Sequence, residues 1–311
     1  MARAAAAETG PDPLEGIATL PGVAQSVEAA RVACEELRWH EAYRRRWRGV
    51  RAEATVRSAR ASAALDGARV PLDVMRAMVT GAEPGGGHEH LVALGALRAG
   101  ARVEGLMPEL GARGAARVPP FGQLVAGLHS AAGAGWLADD QLGRLRVDQA
   151  PEDLRGLGPA PTGSELAARL NLLGDVVRTT DAPALVVAAV VHGELLTLRP
   201  FAAGNGLVAR AMARLLLTSR GLDPTGSVVP EAAWAPAANP YLAAAAGFAT
   251  GSPEGVAGGG GGGGPGGGGG GFFFPTARSP DLPGGVFGCV GVVAVGRVIA
   301  ARCGRIKSNE E

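Results

Sequence analysis

The stretch from Ala182 to Ser219 constrains the fold of this chain most: two apolar segments meet at a loop that needs its glycines. Ala182–Leu198 is rich in Ala and Val, with no Gly or Pro between Ala184 and Val191, which predicts a helix of about four turns. Pro200 lacks an N–H and restricts the residue before it, so regular helix stops there. Gly204-Asn205-Gly206 follows, and both glycines admit positive φ. A second run, Leu207–Ser219, has helical spacing at Leu207, Met212, Leu215 and Leu216. Gly221 and Asp223-Pro224 mark its end. A helix N-terminus presents free N–H groups and partial positive charge. A glycine loop ahead of it lets a ligand approach the backbone, which suits an anion such as phosphate. Arg210, expected on the first turn of the second helix, adds a fixed charge with bidentate geometry. Gly-Asn-Gly alone also describes a plain turn between core helices; Arg199-Pro200-Phe201 before it and Arg210 after it make the pattern specific.

Arg199–Arg210 reads RPFAAGNGLVAR. It resembles HPFx(D/E)GNGRxxR, the signature of the Fic (Fido) family, whose members transfer a phosphate-containing group, usually AMP from ATP, to a protein hydroxyl. Pro200, Phe201, Gly204, Asn205, Gly206 and Arg210 match the signature. The resemblance spans roughly Ala54 to Leu242. His192 lies seven residues before Arg199, where family members often carry a His. Leu128-His129 followed by Gly143-Arg144-Leu145-Arg146 is similar to the family's LHxx…GxxR segment. Ser62-Ala63-Ala64-Leu65-Asp66-Gly67 resembles the inhibitory motif (S/T)xxxE(G/N), with Asp for Glu. The resemblance implies an all-α core of six to eight helices around the helix–loop–helix, with an inhibitory-type helix at about 56–67 and the motif loop at 199–210. It also implies a phosphate site at Gly204, Asn205, Gly206 and Arg210, and a salt bridge between Asp66 and Arg210.

The departures fall on the chemistry. The family's general-base His is Arg199 here, and a guanidinium stays protonated and accepts no proton. The acidic residue that holds Mg²⁺ is Ala203, and a methyl group cannot ligate a hard cation. The first motif arginine is Leu207. General-base catalysis contributes about 10²–10⁴-fold, and a metal about several kcal/mol more. Losing both predicts weak or absent AMP transfer. His192, about two helical turns back, is too far to serve as the base. Three functions follow: a degenerate Fic protein that still binds ATP or phosphate, an active AMP transferase with altered residues, or a structural, interacting helical module. ATP is the implied cofactor; no metal site is expected. The expected partner is a target protein, a regulator or a second copy of the chain.

The formal net charge of +1 gives no electrostatic case for nucleic acid or an acidic membrane surface. Only 4% of residues are aromatic against 47% hydrophobic, so Ala and Leu must fill the core, and closely packed helices do this best. Cys34, Cys289 and Cys303 are odd in number and widely spaced, fitting a reducing cytoplasm rather than a disulfide framework. The start of the sequence has no secretory h-region. His88-Glu89-His90 follows three glycines and reads as loop, with little basis for a metal site.

Residues 24–66 read as long helix in two segments, broken near Gly49. Arg44, Arg45, Arg46, Arg48 and Arg51 read as a solvated face paired with Glu35, Glu36 and Glu41. Helical patterns recur near 71–80, 88–100, 119–132 and 164–179. Val147–Thr162, where the family has a β-hairpin flap, carries Pro151, Pro159 and Pro161, which argue against a regular hairpin. The domain reading is an N-terminal helical extension at 1–53, a Fic-like domain at 54–250, and a linker and tail at 251–311. Gly258–Gly271 is glycine interrupted only by Pro265 and reads as flexible linker. The abrupt change after it reads as a frameshifted or mis-assigned end. Val286–Ala301 is short for a membrane span and contains Arg297.

Overall fold

A computed structural model describes residues 11–81, 85–110 and 118–250. Among them are eleven α-helices and three 3-10 turns, and no strand. The helices are α1 (Glu15–Ala18), α2 (Pro21–Trp39), α3 (Glu41–Leu65), α4 (Leu72–Val79), α5 (His88–Leu106), α6 (Phe121–Gly133), α7 (Gly163–Thr179), α8 (Ala184–Leu198), α9 (Asn205–Ser219), α10 (Glu231–Trp234) and α11 (Ala238–Thr250). The linker and tail expected at 251–311 lie outside the described residues.

α8 forms the centre because it is apolar on almost every face, and a helix hydrophobic all round must be surrounded. It is buried along nearly all its length from Leu185 to Leu198. α9 packs most extensively on it, with α7, α11 and α2 around them. Leu128, Leu173, Val187, Leu195, Phe201, Met212 and Phe248 belong to this core. A second cluster under α3, α4 and α5 holds Val56, Met75, Val92 and Leu97, and takes Leu207 from α9. Small residues let the helices approach closely. A Cβ on Gly95 of α5 would fall on the Ala132 carbonyl of α6, and one on Gly100 would lie 2.8 Å from Thr55 Cγ2 of α3.

Four local expectations are corrected. The N-terminal helix breaks at His40, not Gly49: His40 is extended at ψ 137° and caps α2, while Gly49 lies inside α3. His88 opens α5 rather than sitting in a loop, because Gly87 takes φ +118° immediately before it. Arg51 is not on a solvated face: it is buried, and donates to the carbonyls of Pro108, Pro224 and Thr225. Arg48 pairs with Glu109, and Glu35 with Arg31. Arg210 sits in the second turn of α9, because the helix starts at Asn205.

Candidate functional site

The motif loop is held from inside by Asn205. Its side-chain Oδ1 accepts from Phe201 N at 2.9 Å, and its Nδ2 donates to Phe201 O at 2.9 Å. Gly204 takes φ +78° and caps α9, a conformation glycine adopts without steric cost. His129 pins the loop from α6. Gly143 N–H donates to its Nδ1 at 2.9 Å, so the ring proton is on Nε2, which faces Ala203 O at 3.0 Å. Its ring stacks on Phe201 at 3.8 Å, and burial lowers its pKa. Arg146 donates to the carbonyls of Leu198 and Arg199. The His129 and Gly143–Arg146 segments, separated in sequence, thus converge on one loop as scaffolding.

The structure brings Ser62, Asp66 and Arg210 together. α3 ends at Leu65, and Gly67 takes φ +94° just beyond Asp66. Arg210 Nη2 lies 2.7 Å from Asp66 Oδ1, Nε donates to Ser62 Oγ at 2.7 Å, and Nη2 to Ser62 O at 3.0 Å. Nη1 donates to Tyr241 Oη at 3.2 Å. The shorter Asp side chain reaches because its carboxylate lies directly over Gly206, where a Cβ would collide with it. Burial opposes the charge on Arg210, but Asp66 and Tyr241 outweigh it and its pKa is raised. Behind the pair, His192 stacks on Trp234 at 5.3 Å and meets Tyr241 Oη at 3.0 Å. Burial, with help from Arg210, pushes its pKa down to about 3. It is a buried, neutral packing residue and does not line the cleft beside the loop.

Arg199 points away from the cleft. It caps α8 at φ +41°, a conformation costing a non-glycine residue about 1–3 kcal/mol. Its guanidinium donates to Leu154 O at 2.9 Å and to Gly158 O. Both acceptors lie on the strap 147–162, which contains one 3-10 turn, Arg155–Leu157, and no strand. The strap carries a residue that the sequence reading passed over. Asp153 accepts from Asn205 N and from Asn205 Nδ2, each at 2.8 Å. It therefore covers the start of α9, where a phosphate was expected. Burial raises its pKa, and the Asn205 bonds oppose this.

A cleft of about 380 Å³ opens beside the loop, lined by Asp66, His88, Val92, Trp136, Leu137, Glu152, Asp153, Ala203, Gly204 and Leu207. Three of these are carboxylates and none is Arg or Lys. This lining does not fit a triphosphate. Among the described residues no group of three or more His, Cys, Asp or Glu is placed to share a metal ion.

An all-helical domain built around a buried helix–GNG loop–helix, with Asp66 from the end of α3 set on Arg210 of α9, defines the class. Neither a protein-family model nor a curated protein matches the sequence. Among solved structures, a Fic family protein from Desulfovibrio desulfuricans G20 matches at 18% identity and TM-score 0.57, over 73% of this chain and 66% of that one. Fic-1 from C. elegans matches at 20% identity and TM-score 0.45, over 71% and 66%. The chain has the Fic fold, and it spans just under two thirds of the first protein's length. No helix among the described residues is long and apolar enough to cross a membrane.

Proposed function

We infer that this is a Fic-fold protein that does not transfer AMP, whose nucleotide cleft is closed by its own side chains, and which acts through a protein partner. The observation that carries this reading is the sign of the cleft. Asp66, Glu152 and Asp153 line it, while Arg199 and Arg210 are engaged with protein groups behind it. Negative charge at Glu152 and Asp153 repels a bound phosphate, and the Asp66 carboxylate takes up the Arg210 charge that would attract one. The absence of a base and an acidic metal ligand at 199 and 203 supports the same conclusion. The Asp66–Arg210 pair favours a second reading, in which the site is a nucleotide sensor held shut by that ion pair.

Calorimetric titration with ATP, with and without Mg²⁺, tests both readings on the full chain and on Asp66→Ala. The wild-type chain should show no binding heat, and no label from α-phosphate-labelled ATP should enter it or an added protein. Label incorporation would overturn the reading. Binding by Asp66→Ala alone would establish the sensor instead.

A further inference from the structure

Two contacts tie the strap to the motif loop, Asp153 on Asn205 and Arg199 on the Leu154 and Gly158 carbonyls, and neither belongs to the resemblance that drew attention to the loop. The strap's base is fixed. Gly163 N donates to Val147 O at 2.9 Å, and Arg146 donates to Gln149 O at 3.1 Å and Pro161 O at 2.7 Å. Its far side is fixed too, since Leu157 is 3% exposed and sits in the main core. Between these anchors lie residues 150–154, which bond to the motif loop through Glu152, Asp153 and Leu154, while the Leu154 side chain also packs against the main core. Glu152 N donates to Ala202 O at 2.7 Å, and Asp153 takes both Asn205 donors. Leu154 closes the segment at φ +52°. It and Arg199 are the two non-glycine residues with positive φ among those described, and Arg199 Nη1 donates to the Leu154 carbonyl. The strained residue on the strap is therefore held by the strained residue on the loop.

We propose that residues 150–154 form a latch over the mouth of the cleft, locked by Asp153 on the start of α9 and by Arg199 on Leu154, which opens as one unit when either lock is removed. The replacement of a histidine by Arg199 then has a positive role: it is the anchor of the latch. Opening withdraws Glu152 and Asp153, two of the three carboxylates lining the cleft, and uncovers the first amide of α9. The latch rests on the strap's own bonds, so it does not depend on whether the cleft takes a nucleotide.

Amide hydrogen exchange on the full chain tests it, read crosswise. In Asp153→Ala the reporter is the Glu152 amide, whose own acceptor on Ala202 is untouched. In Arg199→Ala the reporter is the Asn205 amide, whose acceptor Asp153 is untouched. Each should exchange at least tenfold faster than in the wild-type chain, while Val190 and Leu215 in the core keep their rates. The double variant should exchange faster than either single variant, up to the unprotected rate, because both locks stabilise one closed state. If each substitution frees only amides bonded to the altered residue, there is no latch. Acceleration of Val190 and Leu215 by the same factor would mean that the contacts serve global stability, which also overturns the proposal. Should one variant fail to fold, the other decides alone.

Discussion

At Gly206 two residue-level rules oppose each other. Gly206 lies inside α9, where alanine is ordinarily favoured over glycine by up to about 1 kcal/mol. Here a Cβ would strike the Asp66 carboxylate, with Arg210 Nη1 at 2.9 Å. Gly206→Ala should therefore destabilise the protein by about 1–3 kcal/mol, the usual cost of overpacking. In an Asp66→Ala background the penalty should shrink, with Arg210 Nη1 left as the one close atom, as urea unfolding of the four chains of the cycle would show. An unchanged penalty in that background would mean that the carboxylate is not what excludes the methyl group. His192 offers a second residue-level test. Its pKa is pushed down to about 3 in the folded chain, against about 6.5 unfolded. Depressed in this way, its contribution is fully present above the unfolded value and lost as pH falls from there toward 3. The loss should reach about 2 kcal/mol by pH 5. Buried Glu194 and Glu231, whose pKa values burial raises, act in the opposite direction. The comparison is thus between the wild-type chain and His192→Phe, whose urea midpoint should fall less between pH 7.5 and pH 5.

At the scale of elements, close helix approach is the expected consequence of a core short of aromatics, and α5 tests it within one helix. Gly95→Ala drives a methyl group into the Ala132 carbonyl of α6, whereas Gly105 has no atom within 4 Å of its added Cβ. Gly95→Ala should lower the thermal midpoint, by about 1–3 kcal/mol of stability, and Gly105→Ala should raise it slightly. Equal effects would show that α5 and α6 are not in register as described. The helices were legible because their apolar periodicity is strong: α4, α5, α6 and α7 fall close to the stretches predicted from spacing. Where the chain turns was less legible. His40 breaks the long helix by adopting an extended backbone, which a histidine does not advertise, while Gly49 stays helical because a helix tolerates an isolated glycine. In the site, the glycine loop and Arg210 were readable from their spacing, whereas Ser62 and Asp66 came only from what the resemblance implied, since Ser, an acid and Gly at that spacing also describe an ordinary helix end. Asp153 was readable from neither, since an aspartate in a Pro- and Gly-rich stretch looks like any turn residue, and only the tertiary path of the strap places it on Asn205.

At the scale of the whole molecule, α9 joins the two cores. Leu207 faces the cluster beneath α3, α4 and α5, while Val208 and Met212 face the cluster around α8. Arg51 adds a polar tie, reaching from α3 to Pro108, Pro224 and Thr225. A helix that contributes to both clusters cannot leave one intact while the other melts, because its own hydrogen-bonded length is shared between them. The described part of the chain should therefore unfold in a single cooperative step. Met75, fully buried in the smaller cluster, and Leu196, fully buried in the larger, are the probes. Met75→Ala and Leu196→Ala should each lower the same transition by about 2–5 kcal/mol, with far-ultraviolet circular dichroism and tryptophan fluorescence still coincident. If Met75→Ala split the transition, the cluster under α3–α5 would be a unit of its own. The Asp66–Arg210 contact, which joins the end of α3 to α9, would then cross between two independently folding parts and would open whenever the smaller one melted.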